Sequence, residues 1–335
     1  MFRNCLKCKL QQLLIICIKM DIAYSCDDYY VSHTGISIIS LLENNKSDDE
    51  VIIYIISKNI AEHNLKILND ICINYARKLI VVPFEQIAFD LKLSNTGRHI
   101  ETVYAKIFFS RIEGLHKCLY IDSDTIVVDS IESLWNIDLS GIYLAAVETY
   151  IHKNRIKLAI NPDSLFFNDG ITLINVDYCR EQNLIEKSLH LIEKFNGNPP
   201  ILSEGILNSI CQNNAKIISM RYNLMSGMYQ LGIENPNYLS SITSYSKEDI
   251  VDSCLHPVII HYLSAFYNRP WSKNCSHPLK KYYLKYKLMS PWKEQDLDND
   301  DLPLWLKFLK HLGKLFGFEN LMRFSHFKQT IMKID

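Results

Sequence analysis

The chain has 335 residues, 48% hydrophobic and 22% charged, with a formal net charge of −1. That is enough apolar material for a sizeable core in one large domain or two, and too balanced a charge for the basic footprint of a nucleic-acid binder. Ten cysteines are scattered from Cys5 to Cys275, and only Cys5 and Cys8 form a close pair, so no zinc site is completed. Thiols spaced in this way read as reduced, mostly buried residues of a cytosolic protein.

Arg3, Lys7 and Lys9 precede Leu13-Leu14-Ile15-Ile16-Cys17-Ile18, which mimics the start of a signal peptide. The run is too short to span a bilayer, and Lys19-Met20-Asp21 follows it with no small-residue cleavage site. The folded domain is therefore expected to start near Met20, with residues 1–19 an extension or a mistaken start. Met20–Cys26 has strand character and ends at Asp27-Asp28. Val31, Ile36, Ile38, Ile39 and Leu42 recur at helical spacing. Val51-Ile52-Ile53-Tyr54-Ile55-Ile56 is a continuous β-branched run, as expected of a strand buried on both faces of a parallel sheet. Helical spacing returns over Ile60–Tyr75, and Leu79-Ile80-Val81-Val82 makes a third strand closed by Pro83. Strand, helix, strand, helix, strand is the signature of a doubly wound α/β unit.

Residues 84–98 read as irregular, and Glu101–Arg111 as a helix. Lys117–Ile121 is the fourth strand, and it runs into Asp122-Ser123-Asp124. Two carboxylates at the end of a buried strand are costly without a positive charge between them, and a hard divalent cation carrying a phosphate would supply it. Alone, the triplet also reads as a polar strand end or turn. Asp27-Asp28 falls at another strand end, and ligands of open parallel sheets collect at such carboxyl ends. Further strands are expected at Tyr143–Val147, after a polar Asn168-Asp169-Gly170 turn, and at Pro257–His261. Helices are expected over Tyr178–Phe195 and Glu204–Gln212. After an acidic stretch from Glu294 to Asp301, Leu304–Ile334 carries Lys307, Lys310, Lys314, Arg323, Lys328 and Lys333 among aromatic and leucine residues. This reads either as basic amphipathic helix on an anionic membrane or as a helical tail packed on the domain.

Five segments, in order, resemble the family 8 glycosyltransferases. They are Ile22–Tyr30, Thr102–Lys106, Cys118–Asp124, Phe167–Asn175, and Ile260-His261-Tyr262 with Arg269-Pro270-Trp271. The resemblance covers Met20 to Trp271 and implies a GT-A type fold: a Rossmann-like mixed α/β sheet with helices on both faces. It divides the chain into an extension (1–19), a nucleotide-sugar domain (20–275) and a helical C-terminal region (276–335). It implies a retaining enzyme that takes glucose or galactose from a uridine diphosphate sugar, with Mn²⁺ or Mg²⁺ held by Asp122, Asp124 and His261. Ser123 belongs to the same motif. Asp27 would accept from the uracil or ribose, and Tyr24 would pack on the base. Lys106, where the family usually has Arg, would bring a positive charge to the sugar and diphosphate. Arg269, where the family usually has Lys, would neutralise the leaving diphosphate, with His99 a further candidate there. Asn168 and Asp169 would hold sugar hydroxyls, with Gly170 permitting the turn. Ser203-Glu204-Gly205 stands where the family has Asp-Gln-Asp, which puts Glu204 beside the anomeric carbon, as an electrostatic stabiliser or as a nucleophile. Front-face attack without a nucleophile stays open. Glu148 is a further acidic candidate for the donor or acceptor.

Tyr282–Lys287 leading to Ser290-Pro291-Trp292-Lys293 is similar to the C-terminal region of enzymes that extend the lipopolysaccharide core. The expected partners are thus the donor, a lipid-linked oligosaccharide acceptor and an anionic membrane surface, with the protein cytoplasmic and peripheral on the inner face. A protein or soluble glycan acceptor, and a sugar-nucleotide binder without turnover, are the alternatives.

Overall fold

A computed structural model describes residues 19–46, 50–94, 101–150, 155–161, 163–264, 267–299 and 304–323, apart from the side chain of Leu306. Residues 1–18, His99 and the basic tail beyond 323 lie outside the described residues. In chain order the strands are β1 (Lys19–Asp27), β2 (Glu50–Lys58), β3 (Lys78–Pro83), β4 (Lys117–Ile121), β5 (Thr125–Val127), β6 (Leu144–Glu148), β7 (Phe167–Asn175), β8 (Ala215–Ile218), β9 (Leu224–Met225) and β10 (Ile259–His261). The main sheet runs β3-β2-β1-β4-β7-β6-β8, and β5-β10-β9 form a small second sheet. The first four strands are parallel, while β7 is antiparallel to both β4 and β6.

Alternation explains the unbroken apolar runs. In β2, Val51, Ile53 and Ile55 enter one core cluster, while Ile52, Tyr54 and Ile56 enter the other. Helix α1 (Val31–Asn44) covers the first face; the 3-10 helix Thr102–Arg111 and α2 (Leu202–Cys211) cover the second. The segment from 102 to 111 was expected as an ordinary helix. Its consecutive residues Tyr104 to Phe109 are all buried, so contacts on every side, rather than one amphipathic stripe, shape it. The helix expected over Tyr178–Phe195 is split in two at Asn183, which adopts a left-handed φ of 53°.

The chain after 276 is partly core. Helix α3 (Lys280–Leu288) packs on α1: Tyr283 hydroxyl and His33 Nδ1 are hydrogen-bonded at 3.0 Å, and Asn44 Nδ2 donates to Tyr286 hydroxyl at 2.7 Å. Helix α4 (Leu304–Phe316) instead exposes Leu304, Trp305, Phe308, Leu315 and Phe316. Among the described residues no helix is long and apolar enough to cross a membrane.

Candidate active site

The chain leaves β1 toward β2 and β3, then crosses back to lay β4 on the other side of β1. This makes a topological switch point, where the carboxyl ends of β1 and β4 diverge and leave a crevice. Asp27 ends β1, and Asp122 to Asp124 follow β4. Asp122 N–H donates to Gly170 carbonyl at 2.8 Å, and Thr125 hydroxyl donates to Asp122 carbonyl at 2.8 Å, so the acidic turn is held from both sides. The turn feeds β5, whose Thr125 pairs with His261 of β10, and Tyr262 N–H then donates to Asp124 carbonyl. A histidine 137 residues beyond Asp124 is thereby brought to the dicarboxylate. Ligand atoms of Asp122, Asp124 and His261 lie within 4.8 Å of one another, the one such group among the described residues.

These side chains line a cavity of about 290 Å³ together with Asp27, Ser123, Asn168 and Arg269. Burial pushes the Asp122 carboxyl above its ordinary range; the charge of Lys106 opposes that shift and Asp124 adds to it. Burial is the largest single influence on Asp124 and works against its ionisation, but the charges and hydrogen bonds of Arg269 and His261 together outweigh it and hold that carboxyl well below the usual range. The Arg269 guanidinium donates to Asp124 Oδ2 and to Tyr262 carbonyl. Tyr120 hydroxyl donates to Asp122 Oδ1 at 2.7 Å, leaving Oδ2 on the His261 side.

The donor set fits a divalent metal. Two carboxylates and one imidazole nitrogen suit a hard-to-borderline cation such as Mn²⁺. His261 is 1% exposed, and its Nε2 lies 3.1 Å from Asp124 Oδ1 without an aligned hydrogen bond to any protein atom. A buried nitrogen so placed is satisfied either by a proton shared with Asp124 or by giving its lone pair to a cation between it and the two carboxylates.

Beyond the metal end lies a second cluster. Asn168 Nδ2 donates to Glu204 Oε2 at 2.7 Å. Asp169 Oδ2 receives Lys106 Nζ at 3.0 Å and Ser203 hydroxyl at 2.6 Å, and Lys106 also donates to Asp169 carbonyl. Burial, then the charge of Asp169, pushes the Glu204 carboxyl up to about 8, so it is largely neutral at pH 7. Helix α2 is entered through Ile201 and Leu202, both at positive φ, a conformation that costs about 1–3 kcal/mol each for such residues. That entry lays Pro200 carbonyl against Gly205, where any Cβ would collide with it. The glycine at this position thus follows from the backbone path into the helix.

Several expectations need correction. Tyr24 cannot pack on a base: it is fully buried, accepts from Ser37 hydroxyl at 3.3 Å, and shares the α1 face of β1 with Ile22 and Cys26. Glu148 does not line the cavity, and its Oε2 is taken by Ser244 N–H and hydroxyl. Lys106 and Asp169 are not walls of the cavity but a buried pair beneath it, 2% and 7% exposed. The segment from Asn168 to Gly170 is not a reverse turn. It is extended chain within β7, where the pairing with β6 jumps from Thr172 to Asn168, a bulge that re-aims these side chains. Gly170 is needed for closeness, since a Cβ there would lie 2.6 Å from Asp122 Oδ2. Sequence reasoning missed Asn223, which is fully buried between Asn168 and His261.

A switch-point crevice with a dicarboxylate–histidine cluster and a guanidinium defines an α/β protein built to hold a metal and a phosphate. The family model for glycosyl transferase family 8 matches residues 21–275, and the chain belongs to that family. A Haemophilus influenzae protein named as a glycosyltransferase is 33% identical over 210 residues, 61% of this chain and 63% of the relative. The chain therefore spans under two thirds of that relative's length. General stress protein A of Bacillus subtilis is 26% identical over 265 residues, covering 76% of this chain and 88% of the relative. The crystal structure of galactosyltransferase LgtC with donor and acceptor sugar analogs has the same fold, with a TM-score of 0.66 at 21% identity over 86% of this chain and 99% of that one.

Proposed function

We propose that the protein is a retaining, metal-dependent transferase that moves glucose or galactose from a uridine diphosphate sugar to a lipopolysaccharide core sugar at the inner face of the cytoplasmic membrane. The observation that carries the reading is the convergence of Asp122, Asp124 and His261 with Arg269 at the switch-point cavity. Asp27, at the β1 end, accepts from the uracil or ribose. Asp122, Asp124 and His261 hold the cation, which when bound supplies Lewis-acid neutralisation of the diphosphate. Arg269 turns its guanidinium to the diphosphate as that charge develops. Asn168 orients the sugar, with Glu204 behind it at 2.7 Å. Lys106 and Asp169 act from beneath, fixing the charge balance around Glu204.

In this reading Glu204 acts through Asn168 on the sugar, as a polar group near the anomeric carbon, and its raised carboxyl favours the neutral form, which is a poor nucleophile. A front-face transfer, in which the acceptor hydroxyl attacks as the bond to the diphosphate breaks and the leaving phosphate takes the acceptor proton, is the reading that Glu204→Gln tests. The basic, apolar-faced α4 supports a lipid-linked acceptor, because such helices lie in anionic interfaces.

The test is Mn²⁺-dependent release of uridine diphosphate from a panel of sugar nucleotides, with truncated lipopolysaccharide cores as acceptors. Asp124→Ala is expected to abolish release; turnover surviving in that variant refutes the metal assignment. Transfer only to soluble glycans or proteins replaces the acceptor, and donor binding without turnover replaces the enzyme reading with a binding protein. Loss of partition to anionic liposomes on deleting residues 304–335 is the outcome expected of a membrane role.

A further inference from the structure

Side-chain amides are nearly symmetric front to back, so the direction of a chain of them must be set by a group whose role is fixed. Here that group is Gly170 N–H, which can only donate, and which reaches Asn168 at 3.1 Å. The atom it meets is therefore Oδ1, and the Asn168 atom 2.7 Å from Glu204 is the donor Nδ2. Asn223 approaches the same Asn168 Oδ1 at 2.8 Å and must present its own Nδ2. Its remaining Oδ1, 2.9 Å from His261 Nδ1, must accept. It follows that Nδ1 of His261 carries the hydrogen, which leaves Nε2 as the nitrogen that would give its lone pair to a cation held between it and Asp122 and Asp124. One backbone N–H thus sets the polarity of a chain running Glu204, Asn168, Asn223, His261.

Asn223 can do this because of where the small sheet places it. Leu224 of β9 pairs with Ile260 of β10, and Val258 N–H donates to Arg221 carbonyl on the other flank. Asn223 is thereby held alongside His261 with no exposed surface. Groups behind a metal-bound imidazole orient the ring and raise its basicity, and losing one costs about 10–100-fold in metal affinity.

We propose that Asn223 is a positioning residue: it selects the nitrogen of His261 that faces the metal and ties that choice to the orientation of Asn168 and Glu204 at the sugar end. The inference rests on the metal-dependent reading above. It is tested on the purified full chain by Mn²⁺ affinity, read from the electron paramagnetic resonance of free Mn²⁺ with uridine diphosphate present. Thermal melts report folding. Asn223→Leu loses both hydrogen bonds and is expected to weaken Mn²⁺ by about 10–100-fold. Asn223→Asp keeps an acceptor for His261 Nδ1–H but has no donor for Asn168. It is expected to hold Mn²⁺ within about threefold of the parent while kcat falls by about tenfold or more.

A folded Asn223→Leu protein with parental Mn²⁺ affinity overturns the proposal, as does an Asn223→Asp protein that loses Mn²⁺. Should the leucine variant fail to fold, the aspartate variant decides alone. A parent that binds neither Mn²⁺ nor uridine diphosphate refutes the transferase reading as well. A parent that binds both, with variants behaving against expectation, refutes only the role of Asn223.

Discussion

Replacing Gly170 with alanine adds one methyl group at the most crowded point of the site. Its φ does not lie in the left-handed region, so the substitution carries no backbone strain. The new Cβ would lie 2.5 Å from His261 Cε1, 2.6 Å from Asp122 Oδ2 and 3.1 Å from Asn168 Oδ1. Ordinary carbon contacts sit near 3.5–4.0 Å, so His261 and Asp122 must separate from the strand by about 1 Å. Overpacking of this kind costs about 1–3 kcal/mol, offset by about 0.4–1 kcal/mol from the stiffer unfolded chain. The net loss of about 1–2 kcal/mol leaves a domain folded when its stability is about 5–15 kcal/mol. Catalysis is less forgiving, because a displacement of about 1 Å in a reacting constellation costs about a hundredfold. Melting temperature and Mn²⁺-dependent release of uridine diphosphate, measured on the same preparation, separate the two effects. The expected result is a melting temperature lower by a few degrees and a kcat/KM lower by about a hundredfold. Turnover within about threefold of the parent would refute the reasoning, since the ligands would then have room that the structure denies them.

Glu204→Gln replaces a largely neutral carboxyl with a neutral amide, so turnover at pH 7 is expected to stay within about tenfold; a loss of about a thousandfold would make Glu204 the nucleophile. The same carboxyl has a folded pKa raised from 4.5 to about 8, so the folded state binds the extra proton between those values. Stability of the parent relative to Glu204→Gln is therefore highest below about pH 4.5 and falls as pH rises toward 8, readable from urea midpoints across that range. Lys106→Met strands the Asp169 charge in a buried site and is expected to cost about 3–5 kcal/mol by urea unfolding. A loss under about 1 kcal/mol would show that the pair is not held as described. Gly205→Ala is expected to destabilise by about 1–3 kcal/mol through Pro200 carbonyl, and a neutral result would mean the turn before α2 relaxes freely.

The sheet was legible because strands buried on both faces must be apolar at every position, and β2 obeys that from Val51 to Ile56. The metal cluster was legible because charge at the end of such a run stands out against it. The residues misread or missed depend on faces and long-range pairings. Tyr24 shares its parity with Ile22 and Cys26, and so turns under α1 rather than to the cavity. Asn168-Asp169-Gly170 has the composition of a turn, yet its glycine serves steric closeness in a bulged strand. Asn223 precedes a strand of two residues, and nothing local marks it. Its role exists only once β9 lies beside β10.

The long interval between Asp124 and His261 also bears on when the site can exist during synthesis. At about 5–20 residues per second, the histidine leaves the ribosome roughly 7–30 s after the acidic turn. Tyr283 and Tyr286, which close over the helix after the first strand, come later still. During that interval the nascent chain exposes a dicarboxylate without its imidazole or its guanidinium. A protein stalled or cleaved before residue 261 therefore carries the acidic motif without the histidine that completes the cluster.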